Sequence, residues 1–72
     1  MLTGPFMRVA INGEIRDVPP ELDLAALLEH LSLPSRRVAV ELNREVIRRS
    51  DWANRKVSEA DKIEIVHFVG GG

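Results

Sequence analysis

The sequence predicts an α+β domain, with one mixed sheet of four to five strands and one main helix packed on one face. Three observations predict it. Short runs of alternating apolar and polar residues recur between turn residues, which is the period of half-buried strands. A single leucine stripe, Leu24, Leu27, Leu28 and Leu31, has helical spacing and lies after the first two of these runs. The last run, Lys62 to Val69, is the most apolar, as expected of a strand in the middle of a sheet.

Taken in order, Met7, Val9 and Ile11 alternate with Arg8, Ala10 and Asn12 in a first strand. Asn12-Gly13 follows, and both residues accept the positive φ angles of a type I′ hairpin turn. Glu14 to Val18 returns antiparallel until Pro19-Pro20, which cannot donate to a ladder, stops it. Asp23 caps the helix, with Leu22 and Leu27 spaced for a hydrophobic staple. Glu29 and His30 fall off the stripe and face solvent, and Ser32-Leu33-Pro34 ends the element. Arg37 to Leu42 reads as a third strand, with Val38, Val40 and Leu42 on one face. Asn43-Arg44 turns into a short fourth strand, Glu45 to Arg48. Arg49 to Val57 is irregular or one helical turn, with Trp52 a lid on the core at the end of the sheet. Ser58 to Asp61 turns into the last strand. A helix between a first hairpin and three further strands, with the final strand beside the first, describes the β-grasp architecture.

Residues 1–6 read as a leader, either an expression remnant or an upstream start; 7–69 form the domain, and 70–72 a glycine tail. A chain of 72 residues holds one domain near the lower size limit for independent folding. The net charge of −1, with both signs mixed along the chain, argues against non-specific nucleic-acid binding and a polybasic membrane patch. Charged residues interrupt every apolar run, so no span and no signal peptide are expected, and the cytoplasm is the default compartment. The absence of cysteine excludes disulfides, thiolate nucleophiles and cysteine metal sites. Sulfur handled by this chain must be borrowed.

Enzyme constellations are missing as well. His30 and His67 are far apart, and no metal spacing exists. His67 reads as a partly buried strand residue, and Glu59 and Asp61 as solvated turn carboxylates. Arg36, Arg37, Arg44, Arg48 and Arg49 read as a solvated basic face, with docking to an acidic partner the alternative. The chemistry that remains is at the end of the chain. Gly70-Gly71-Gly72 follows an apolar strand directly and carries the terminal carboxylate. Without Cβ atoms such a tail can thread a narrow channel, and three residues reach at most roughly 10 Å. An α-carboxyl group with a pKa of about 3.3–3.7 is ionised and a poor electrophile, so it must be activated before it accepts a nucleophile. With no phosphate loop in the chain, that activation falls to a partner using ATP. If Ile63 and Ile65 face the helix, Val66 and Phe68 face away, forming with Ala10 an apolar partner-binding patch beside the tail. The reverse facing would bury them.

The run Asp61-Lys62-Ile63-Glu64-Ile65-Val66-His67-Phe68-Val69-Gly70-Gly71-Gly72 resembles the C-terminal signature of the ThiS family, the sulfur carriers of thiamin biosynthesis. Asn12-Gly13, Leu27-Leu28, Val38 to Asn43 and Arg49…Trp52-Ala53 also fit the family's pattern, so the resemblance covers Met7 to Gly72. Terminal diglycine alone is less specific, being shared with ubiquitin-like modifiers and the small subunit of molybdopterin synthase. The resemblance implies a carrier and co-substrate rather than an enzyme, with no bound cofactor and no metal. A ThiF-type adenylyltransferase would activate Gly72 with MgATP, and a cysteine desulfurase or similar donor would supply sulfur. A ThiG-type thiazole synthase would then accept it. A carrier for another pathway, of the molybdopterin type, and a ubiquitin-like protein modifier are the alternatives.

Overall fold

Asn12 and Gly13 adopt φ angles of 51° and 84°, the left-handed pair that a two-residue hairpin turn demands. They join β1 (Met7–Ile11) to β2 (Glu14–Val18) in an antiparallel pair, with Ile11 opposite Glu14 and Met7 opposite Val18. The computed structural model describes residues 6–33 and 36–68 of the chain. Within them follow α1 (Leu24–His30), β3 (Val38–Leu42), β4 (Glu45–Ile47), a 3₁₀ helix (Arg49–Asn54) and β5 (Lys62–His67). The strands form one sheet in the order β2-β1-β5-β3-β4, so the most apolar strand is indeed central. It runs parallel to β1 and antiparallel to β3.

The helix starts as its cap residue requires. Asp23 is extended, and its side chain accepts a hydrogen bond from the Ala26 amide at 2.8 Å. Leu24, Leu27 and Leu28 are buried, while Leu22 and Leu31 pack at the edge of the core. The end is a Schellman arrangement built on serine. Ser32 has φ 58°, its amide donates to the Glu29 carbonyl, and the Leu33 amide donates to that of Leu28.

On the sheet's inner face lie Val9, Ile11, Val38, Val40, Leu42, Ile63 and Ile65, all buried. Burial of side chains of this size contributes about 1.5–3 kcal/mol each, so the face opposing α1 supplies most of the stabilisation. Trp52 joins the core at 4% exposure and donates its indole N–H to the Ile47 carbonyl at 2.9 Å. Its lid role is as expected. The segment around it is more ordered than the sequence implies. After the 3₁₀ helix, Arg55 accepts from the Leu24 amide and Val57 donates to the Leu22 carbonyl, tying the entry of α1 to this segment.

Some sequence expectations need correction. Arg37 and Arg48 fall just outside β3 and β4. Glu59 and Asp61 are not merely solvated. Glu59 accepts from the Arg8 amide at 2.9 Å, and Asp61 accepts from the Ser58 amide at 2.7 Å and from Asn43 Nδ2 at 3.0 Å. They close the turn into β5 and fasten it to both neighbouring hairpins.

The second hairpin turn stores strain. Asn43 and Arg44 have φ angles of 52° and 73°, and arginine carries a Cβ into a region that costs an L-residue about 1–2 kcal/mol. Arg44→Gly is expected to raise stability by about 0.5–1 kcal/mol, after the extra unfolded-state freedom of glycine is subtracted. Denaturant unfolding measures this; a lower midpoint would mean that Arg44 makes contacts outweighing the strain.

Candidate functional site

Alternation along β5 decides which side chains are free to meet a partner. Ile63 and Ile65 point into the core, and Lys62, Glu64 and Val66 point away from it. Val66 is 56% exposed and Phe68 55%, large values for apolar side chains at the end of a central strand. Cross-strand register supplies the neighbours. Val66 lies opposite Ala39, and the Phe68 amide donates to the Arg37 carbonyl at 2.8 Å. On the outer edge, Val46 is exposed at 66% and lies opposite Glu41. The apolar outer surface therefore runs through Val46, Ala39, Val66 and Phe68.

Ala10 does not belong to it. The β1–β5 register places Ala10 opposite Lys62, four residues before Val66 and so about 13 Å further back along the strand. The physical reason is that β1 ends at its hairpin turn while β5 continues past it. Val46 and Ala39 take the place that the sequence assigned to Ala10. Strict alternation in β4, with Ile47 buried, was the signal that could have found Val46.

Charge around the surface is asymmetric. Glu41 and Glu64 oppose each other directly on the outer face, a like-charge juxtaposition that is unfavourable by itself. Arg37 and Arg48 are exposed at the other side of the apolar residues. Arg49 differs from the rest of the basic set, since it hydrogen-bonds the Arg36 carbonyl and lies 5.5 Å from the Trp52 ring centre.

At the end of the sheet where β5 finishes, the Asn12-Gly13 turn, Leu31, Leu33 and His67 come together. They border a depression of about 180 Å³ that also touches Ile11, Glu14 and Ile65. His67 is exposed rather than partly buried. It follows the inward alternation of Ile63 and Ile65, but α1 stops at His30 and leaves this part of the inner face uncovered. The expected functional tail, Gly70, Gly71 and Gly72, lies outside the described residues, as does Val69. Among the described residues no group of three or more His, Cys, Asp or Glu side chains could hold a metal ion. Among the described residues no helix is long and apolar enough to cross a membrane.

A five-stranded mixed sheet grasping one helix, with a central C-terminal strand, defines a ubiquitin-like β-grasp domain. The ThiS family model matches residues 9–72, and the chain belongs to the ThiS family. The crystal structure of the thiamine biosynthesis protein (ThiS) from Geobacter metallireducens superposes with a TM-score of 0.81 at 33% identity, covering 92% of this chain and all of that one. The sulfur carrier protein ThiS of Bacillus subtilis is 44% identical over 46 residues, 64% of this chain and 70% of that protein. A thiazole synthase from Paramagnetospirillum magneticum is 46% identical over 66 residues, which is 92% of this chain. The chain spans about a fifth of the length of that synthase and of a second one it matches.

Proposed function

We propose that this chain is the sulfur carrier of thiamin biosynthesis and that Gly72 bears the sulfur. The carrying observation is the match to the ThiS family through residue 72, with a central strand leading directly into Gly70-Gly71-Gly72. In the proposed cycle a ThiF-type adenylyltransferase joins the Gly72 carboxylate to AMP from MgATP and releases pyrophosphate. The terminal sulfur of a persulfide formed by a cysteine desulfurase or similar donor then attacks the carbonyl carbon, and AMP leaves with the bonding electrons. A thiol reductant cleaves the sulfur–sulfur bond of the resulting acyl disulfide, forming a disulfide with the donor's sulfur, and Gly72 is left as a thiocarboxylate. Adenylation serves because AMP is a far better leaving group than oxide. A ThiG-type thiazole synthase takes the sulfur and returns the carboxylate.

The similarity to two proteins named thiazole synthase supports a synthase of that type as acceptor, over the large subunit of molybdopterin synthase. The carrier's part in this chemistry is presentation: a rigid sheet holds the tail and displays the surface that partners grip. Val46, Ala39, Val66 and Phe68 supply apolar area, and the charges at either side set orientation.

Intact mass spectrometry after incubation with ATP, a ThiF-type enzyme and sulfide tests the reading. A gain matching replacement of one oxygen by sulfur, mapped to Gly72, is the expected result. An unmodified mass, with the enzyme active on its own carrier, would shift the assignment to another pathway's carrier or to a protein modifier. Lysine-linked adducts would mark the modifier.

Phe68→Ala is expected to weaken binding to the activating enzyme about tenfold or more, as removal of a central interface aromatic does. Its half-exposed position limits the stability cost to about 0.5 kcal/mol. Titration calorimetry and thermal unfolding separate the two. A large stability loss with unchanged binding would make Phe68 a structural residue.

A further inference from the structure

The backbone of β5 bonds alternately to its two neighbours. Towards β3, the Asn43 amide donates to the Lys62 carbonyl and the Phe68 amide to the Arg37 carbonyl, both at 2.8 Å. Towards β1, the Ala10 amide donates to the Asp61 carbonyl at 3.0 Å and the Asn12 amide to that of Ile63 at 2.8 Å. The next residue facing that side is Ile65. There the main chain of β1 has already turned away at Asn12-Gly13.

The side chain of Asn12 fills the place. Its Oδ1 accepts from the Ile65 amide at 2.7 Å, and its Nδ2 donates to the Ile65 carbonyl at 3.1 Å. A primary amide has the same donor and acceptor as a peptide group, so the ladder gains one more step without a strand. The orientation of the amide is fixed by this pairing, since a flipped group would set donor against donor. Asn12 thus meets two demands together, a φ of 51° for the turn and an amide for β5. Asn43 does the equivalent at the start of the strand, with Oδ1 accepting from the Lys62 amide at 2.9 Å.

We propose that Asn12 is a positioning residue for sulfur loading, pinning the end of β5 so that the tail is delivered in one direction. This rests on the carrier reading above. The stretch from Ile65 to Phe68 carries both the apolar surface and the root of the tail. Without the Asn12 amide it is held on the β3 side alone, and the end of the strand frays. A frayed root must be ordered again when the carrier docks, a cost that falls on productive binding and not on the chemistry after docking.

Asn12→Gly tests this, because glycine keeps the turn geometry and removes both hydrogen bonds. The loss of a pair of such bonds predicts a rise of about fivefold or more in the KM of the adenylating enzyme for this carrier. The kcat should stay within about twofold, since bound carrier is already aligned. Amide exchange at Ile65 should quicken about tenfold, with Val40 in β3 unchanged. Asn12→Asp, which keeps the turn and the acceptor but loses the donor, should give an intermediate KM and serves if the glycine variant folds poorly. An unchanged KM despite faster exchange at Ile65 would overturn the proposal and leave Asn12 a purely structural residue. A fall in kcat at constant KM would overturn it too. If the unaltered chain gains no sulfur, the carrier reading fails and the positioning role with it. Exchange at Ile65, read on the unactivated chain, reports the anchor independently of that reading.

Discussion

Removal of Gly72 is expected to abolish sulfur loading, by about a hundredfold or more in rate, while the melting transition stays where it was. Addition of one residue after Gly72 should do the same. The proposed chemistry places one carboxylate oxygen in line with the α-phosphorus of ATP inside another protein's site. One residue is about 3.5 Å of extended chain, and a misplacement of about 1 Å already costs roughly a hundredfold. The stem at Phe68 is fixed by its hydrogen bond to Arg37, so it cannot slide to compensate. Thiocarboxylate yield by intact mass, beside a thermal melt of each variant, is the measurement. Undiminished yield from either variant would remove Gly72 from the mechanism.

Leu27→Ala is the substitution with the largest expected effect on folding. Leu27 has 0% exposure and is the fourth helical residue, in the middle of the stripe that α1 lays on the sheet. Truncating a buried leucine costs about 2–5 kcal/mol through lost transfer energy and the cavity left behind. A domain of this size has a total stability of roughly 4–11 kcal/mol, so the variant loses a large part of it. The melting temperature should drop by roughly 10–35 °C. Ile15→Ala provides the contrast, since Ile15 is 65% exposed on the edge strand and its truncation should move stability by about 0.5 kcal/mol at most. A Leu27→Ala loss under about 1 kcal/mol would mean that the core can collapse around the gap.

The two predictions address separate parts of the molecule. Leu27 stabilises the scaffold, and Gly72 carries the proposed chemistry. Val66 and Phe68, with the Asn12 hydrogen bonds to Ile65, lie at the end of β5 that precedes the glycines in the sequence.

Much of the local order was present in the sequence, though not the full 3₁₀ helix around Trp52 or the turn-closing bonds of Glu59 and Asp61. Leucine spacing determined the helix and its buried side, Asp23 its start, and Asn12-Gly13 and Asn43-Arg44 the two hairpins. Period-two alternation set Ile63 and Ile65 on one face of β5 and Val66 on the other; the structure decided that the first face is the buried one, which leaves Val66 and Phe68 exposed. Alternation assigns a face but is silent on how far one strand is shifted along its neighbour. The offset of β5 against β1 comes from packing Val9, Ile11, Ile63 and Ile65 together under α1, a condition on residues some fifty positions apart. That offset moved Ala10 away from Val66, brought Ala39 and Val46 into the outer surface, and set Ile65 where the Asn12 amide could reach it. The length of α1 relative to β5 likewise left His67 open to solvent. Side-chain periodicity is written residue by residue, whereas register is an energy minimum of the whole packed sheet, and only the tertiary structure decides it.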